Sequence, residues 1–134
     1  MADNPTVAKP GARPLSPHLQ IWRFTVTMAA SITHRGTGIA NAGGILLVLL
    51  WALALSVGGA FYDAVSGFFA SPLGFVICVG YIWTLSFHLL NGLRHLYWDT
   101  GRGLAPKTAS LTAWAVYLGS AAMAIVFISI AGGQ

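Results

Sequence analysis

Charge is what this sequence has least of. Charged residues make up 7% of its 134 positions while hydrophobic residues make up 56%, and soluble domains carry about 25% charged residues. A water-soluble fold with so few charges would present apolar surface on every side, and lipid is the solvent that removes this difficulty. Acidic residues number three, and the seven Lys and Arg do not gather into one dense patch with interleaved aromatics. The net charge of +4 therefore does not mark a nucleic-acid binder. Cysteine occurs once, as Cys78 in an apolar run. That excludes an internal disulfide and reads as a small buried or lipid-facing side chain. A CxxC pair, a Ser-His-Asp set, a phosphate loop and an acidic metal site are all missing, which argues against a self-contained enzyme. No strand pattern, internal repeat or low-complexity tract stands out. Pro5, Pro10, Pro14 and Pro17 interrupt a polar N-terminal stretch, a pattern that fits neither a signal peptide nor an Arg- and Ser-rich transit peptide.

What the chain does have is three long stretches without charge: Gly36 to Tyr62, Ala64 to Leu93, and Thr108 onward. A helix needs about 20 apolar residues to cross roughly 30 Å of hydrocarbon, so each stretch is long enough. The expected fold is all-α, with three transmembrane helices at about 31–58, 65–97 and 107–131. Gly58, Gly59 and Asp63 mark the first break, and the run from Asp99 to Lys107 marks the second. Residues 1–28 are expected to form a proline-rich arm with an interfacial segment around Trp22, and 29–134 the membrane anchor. Small residues at helix-packing spacing are Ala40 with Gly44, Ala115 with Gly119, and Ser120 with Ala124.

Cations fix the expected orientation. Lys9, Arg13, Arg23 and Arg35 precede the first span, and Arg94, Arg102 and Lys107 surround the second break. The first break holds only Asp63, and nothing charged follows Lys107. By the positive-inside rule the N-terminus and the second break face the cytoplasm, and the first break and C-terminus face outward. A bacterial inner membrane is the expected location, with the mitochondrial inner membrane as the alternative.

Ionisable residues at the edge of a span are functional candidates by default. Ser31, His34 and Arg35 stand where the first span starts; His88, Arg94 and His95 stand where the second ends. Both groups fall in the same leaflet although about fifty residues separate them. His88 and His95 are seven apart and share a helix face within about 20°, and Gly92 on that face leaves room for a flat ligand to lie against the backbone. Arg94 is about 9 Å along the axis from His88, placed to meet the carboxylates of a ligand centred there. Iron held by a neutral imidazole, with propionates directed to the aqueous edge, has this layout. The competing reading makes His88 an ordinary hydrogen-bonding group, His34 a solvated interfacial residue, Ser31 a hydroxyl bonded back to its helix, and Arg35, Arg94 and Arg102 snorkelling anchors.

Two motifs then carry a family resemblance. Arg13-Pro14-Leu15-Ser16-Pro17-His18-Leu19, followed by Ser31-Ile32-Thr33-His34-Arg35-Gly36-Thr37-Gly38, resembles the N-terminal signature of the cytochrome b subunit of succinate dehydrogenase, respiratory complex II. His88-Leu89-Leu90-Asn91-Gly92-Leu93-Arg94-His95-Leu96-Tyr97-Trp98-Asp99 resembles that family's second signature, H-x-x-x-G-x-R-H-x-x-x-D. The resemblance implies a three-helix membrane anchor that forms half of a haem-binding bundle with a second small three-helix subunit. It also implies docking of an iron–sulfur subunit and a flavoprotein subunit on the inner face. It assigns His88 as an axial ligand of haem b, with the other ligand from the partner. His34, Arg35 and His95 then match positions near the haem propionates, joining Gly92 and Arg94, which the spacing puts in the haem pocket, and Ser31 and Arg35 match the ubiquinone site. The implied function is electron transfer from the iron–sulfur subunit to ubiquinone within succinate:ubiquinone oxidoreductase, the chain being non-catalytic alone. An anchor of a quinol:fumarate reductase and a haem-less structural anchor are the alternatives.

Overall fold

A computed structural model describes residues 21–132; the proline-rich arm and His18 lie outside them. The described residues form four helices: α1 (Val26–Val57), α2 (Gly59–Ala70), α3 (Pro72–Asp99) and α4 (Pro106–Gly132). Three of these helices are long and apolar enough to span a membrane: α1, α3 and α4. The all-α, three-span expectation holds for the described residues.

Each boundary has a local cause. The Thr25 side chain caps α1 by accepting from the Met28 amide at 3.3 Å, so α1 starts five residues ahead of the boundary expected at 31. Its 32 residues extend about 48 Å, beyond the hydrocarbon thickness. Gly58 ends it with φ of 71°, a left-handed conformation that costs a residue without a Cβ nothing.

The expected second span requires correction. It begins at Pro72 and not near 65, because the residues between form the separate short helix α2. Pro72 opens α3 and the Ser71 hydroxyl caps it, accepting from the Gly74 amide at 3.1 Å. Proline at the first helical position after a capping serine is a strong start signal, and it outweighs the unbroken apolar composition that ran the span back to 65. Gly74 lets the corner close: a side chain there would collide with the backbone of Phe68 and Phe69.

Helix α3 packs most extensively on α4 and next on α1, while α4 also touches α1. Ala30 of α1, Phe87 of α3, and Ala113 and Val116 of α4 form the buried core. Small residues on two helices admit the one large ring of the third. Trp83 and Tyr117 complete an aromatic row, with Phe87 centred 5.6 Å from Trp83 and 4.9 Å from Tyr117. Tyr117 also bonds α4 to α1 through its hydroxyl, 2.8 Å from Thr33 Oγ1. Of the small residues at packing spacing, Gly44, Ser120 and Ala124 are buried, whereas Ala40 and Ala115 are exposed. The outside of the bundle is apolar: Ile39, Leu46, Leu111 and Leu118 are each about 70% exposed, a surface suited to lipid or to another apolar subunit.

Candidate functional site

Phe87 faces the core, so its neighbour His88 is turned by about 100° toward α1. There the His88 ring stacks on His34, with centroids 4.0 Å apart and planes at 11°. His95 meets His34 edge-on, at 4.9 Å and 88°. Three histidines expected at one membrane edge are thus in contact.

Two polar stripes make the contact. On α3, His88, Asn91, Gly92 and His95 follow the i, i+3, i+4, i+7 pattern of one helix face; on α1, His34, Thr37, Gly38 and Asn41 do the same. The stripes lock together by side-chain bonds. Thr37 Oγ1 donates to the His34 carbonyl at 3.0 Å. His88 Nδ1 lies 3.2 Å from that carbonyl and 3.3 Å from Thr37 Oγ1. The carbonyl can only accept and the threonine proton is already engaged, so Nδ1 carries the proton and donates to both. Among the described residues no hydrogen bond engages Nε2 of His88, whose lone pair is then available. Deeper along the interface, Thr84 Oγ1 donates to Asn41 Oδ1 at 2.8 Å. Gly38 brings the α1 backbone against the histidine: a Cβ there would sit 3.2 Å from His88 Cε1.

Gly92 differs from Gly38. Among the described residues a Cβ built on Gly92 meets no other helix and no side chain beyond its chain neighbours within 4 Å, so this part of the His88 face opens outward. His34 Nδ1 is buried without a hydrogen-bond partner among the described residues. Ser31 is half-buried and Arg35 exposed on the same face of α1. Five helix serines, Ser56, Ser86, Ser110, Ser120 and Ser129, bond back to a carbonyl three or four residues earlier. Among the described residues Ser31 makes no such bond.

Arg94, expected in the haem pocket, makes its hydrogen bonds to α4 and to Asn91. It is 5% exposed and committed to α4. Its Nε donates to Thr112 Oγ1 at 3.0 Å and one terminal nitrogen to the Ala109 carbonyl at 2.9 Å. The other terminal nitrogen donates to Asn91 Oδ1 at 3.3 Å. The guanidinium also lies over Trp98, 3.9 Å from the ring centre. A buried cation needs its donors satisfied, and Thr112 and Ala109 of α4 with Asn91 of α3 engage three of them. The sequence reading passed over Thr37, Gly38 and Asn91. Extending the i, i+3, i+4, i+7 pattern from His34 and His88 would have found all three. Among the described residues no three of His, Cys, Asp and Glu converge as a metal-ion site.

These features describe a multi-pass helical membrane protein with a histidine-centred polar patch at one end of the bundle. The model of the succinate dehydrogenase/fumarate reductase transmembrane subunit matches residues 9–127. The succinate dehydrogenase cytochrome b556 subunit of Paracoccus denitrificans is 38% identical over 120 residues, covering 90% of this chain and 92% of that protein. The mitochondrial succinate dehydrogenase cytochrome b560 subunit of Mus musculus is 38% identical over 133 residues, covering 90% of this chain and 69% of its own length. The cytochrome b556 subunit of Rickettsia felis is 40% identical over 107 residues, covering 78% and 81%. The chain belongs to the family of transmembrane subunits of succinate dehydrogenase and fumarate reductase.

Proposed function

We propose that this chain anchors a succinate:ubiquinone oxidoreductase in the membrane, holds haem b together with a second small three-helix subunit, and contributes to the ubiquinone site. The observation that carries the reading is the state of His88. Its Nδ1–H is held by the His34 carbonyl and Thr37 hydroxyl, which orients the ring and leaves Nε2 as the ligating atom, the arrangement typical of metal-bound imidazole. A further feature fits a flat macrocycle: the open face at Gly92. His34, His95 and Arg35 would receive the propionates; Arg94 supports the site from behind through α4. When bound, haem b supplies a one-electron carrier in the anchor.

For the quinone, the chain offers Ser31 and Arg35, four residues apart on one face. Ubiquinone is neutral, so charge does not bind the oxidised form. Reduction places negative charge on its oxygens before protons arrive, and a hydroxyl and a guanidinium in a partly dehydrated site stabilise that charge. Electrons come from a docked iron–sulfur subunit, fed by a flavoprotein subunit, on the face that carries Arg35 and Arg102. That face is cytoplasmic in a bacterial inner membrane, by the cation asymmetry. The relatives named above are subunits of succinate dehydrogenase, which favours succinate oxidation over fumarate reduction. The test is the ratio of ubiquinone reduction to dye reduction by succinate in membranes with equal assembled complex. Ser31→Ala and Arg35→Leu should each lower it, whereas a wild-type ratio at all quinone concentrations removes both residues from the site.

A further inference from the structure

Asn91 is fully buried and stands between two groups with opposite demands. On one side is Arg94. A guanidinium has only donors, so it requires the amide oxygen, and Oδ1 accepts from it at 3.3 Å. The choice is not free, because Arg94 is itself fixed on α4 by Thr112 and Ala109. The reversed amide would set N–H against N–H. With Oδ1 assigned, the amide nitrogen faces the other side, where Nδ2 lies 3.5 Å from Nε2 of His95. An amide nitrogen can only donate. His95 Nε2 must therefore accept, which places the ring proton on Nδ1.

We propose that Asn91 is a positioning residue: oriented by Arg94, it holds His95 as the neutral Nδ1–H tautomer. The consequence is directional. His95 is left with one donor, Nδ1–H, and keeps its ring edge against His34, which in turn stacks on His88. A series of fixed contacts then runs from α4 through Arg94, Asn91, His95 and His34 to His88. The device rests on the proposed function only for what Nδ1–H serves, namely donation to a carboxylate of the bound haem. The tautomer itself follows from the chain's own contacts.

The test reads protonation at ring nitrogens by 15N NMR of histidine-labelled, dithionite-reduced complex in its membrane. The His95 signals are assigned by their loss in His95→Gln. In the wild type, His95 should show a protonated Nδ1 and an unprotonated Nε2. Asn91→Asp keeps the size and the acceptor for Arg94 but presents a carboxylate oxygen to His95, so the variant should show a protonated Nε2. Wild-type His95 with its proton on Nε2, or an Asn91→Asp variant that keeps Nε2 unprotonated, overturns the proposal. The wild-type measurement decides by itself if the variant does not assemble. Haem content measured on the same samples separates the two ideas: a complex lacking haem contradicts the proposed function, while the tautomer result still stands.

Discussion

Gly92 gives the sharpest contrast between a bundle packed only for itself and one shaped around a ligand. Gly92 lies one turn after His88, and among the described residues a Cβ there meets no other helix and no side chain beyond its chain neighbours within 4 Å. Replacing a mid-helix glycine with alanine or leucine raises helix stability by roughly 0.8–1 kcal/mol. On the chain's own packing, Gly92→Ala and Gly92→Leu should therefore be neutral or stabilising. A planar ligand lying over His88 reverses the sign. Extra methyl groups forced into a filled site cost about 1–3 kcal/mol, and each 1.4 kcal/mol is a tenfold loss of affinity. The expected outcome is a graded series, with haem occupancy falling modestly in Gly92→Ala and about 10- to 100-fold in affinity for Gly92→Leu. Meanwhile the amount and thermal stability of the inserted chain do not fall. The assay is haem per anchor subunit in purified complex, from the pyridine haemochrome, beside the subunit's yield in membranes. Full haem content in Gly92→Leu would show that this face meets lipid or helix and would refute the reasoning.

Three further outcomes follow from the packing and the charge pattern. Arg94→Met removes the charged donors from Thr112, Ala109 and Asn91 and strands the fully buried Asn91 oxygen; it should destabilise the bundle by about 2 kcal/mol, measured by denaturant unfolding of the complex in micelles. Arg94→Lys should not restore the loss, since one ammonium cannot match the planar fork. Phe87→Ala should cost about 2 kcal/mol, less than the ~3–5 kcal/mol of a soluble core, because lipid already solvates the unpacked helices and only cavity and contact terms remain; a loss of the full soluble size in the same unfolding assay would contradict this. In a Cys78→Ser background, Asp63→Cys and Arg102→Cys should react with an impermeant thiol reagent from opposite sides of the membrane, Arg102→Cys from the cytoplasmic side; labelling of both from one side would end the three-span topology.

The sequence made the spans readable because three charge-free stretches have few other uses, and the convergence of His34, His88 and His95 follows from counting helices between them. Helix α2 was hidden by composition: Gly59–Ala70 is apolar enough to pass for the start of the next span, and only the serine–proline pair at 71 and 72 gives the break away. The bonding of Arg94 was hidden for a different reason. Position along a helix axis is legible from spacing, but rotation about it depends on which neighbour satisfies the side chain, and the acceptors Thr112 and Ala109 lie on α4. The same holds for Thr37 and Asn91, whose roles exist only once α1, α3 and α4 are set against one another.

Ligation by His88 is the central claim, and EPR and optical spectroscopy of the assembled complex test it most directly. With His88 replaced by leucine, the low-spin bis-histidine haem signal should be lost or converted to high spin in complex whose subunits are assembled. An unchanged low-spin EPR signal and unchanged reduced-minus-oxidised α-band in His88→Leu would contradict the account.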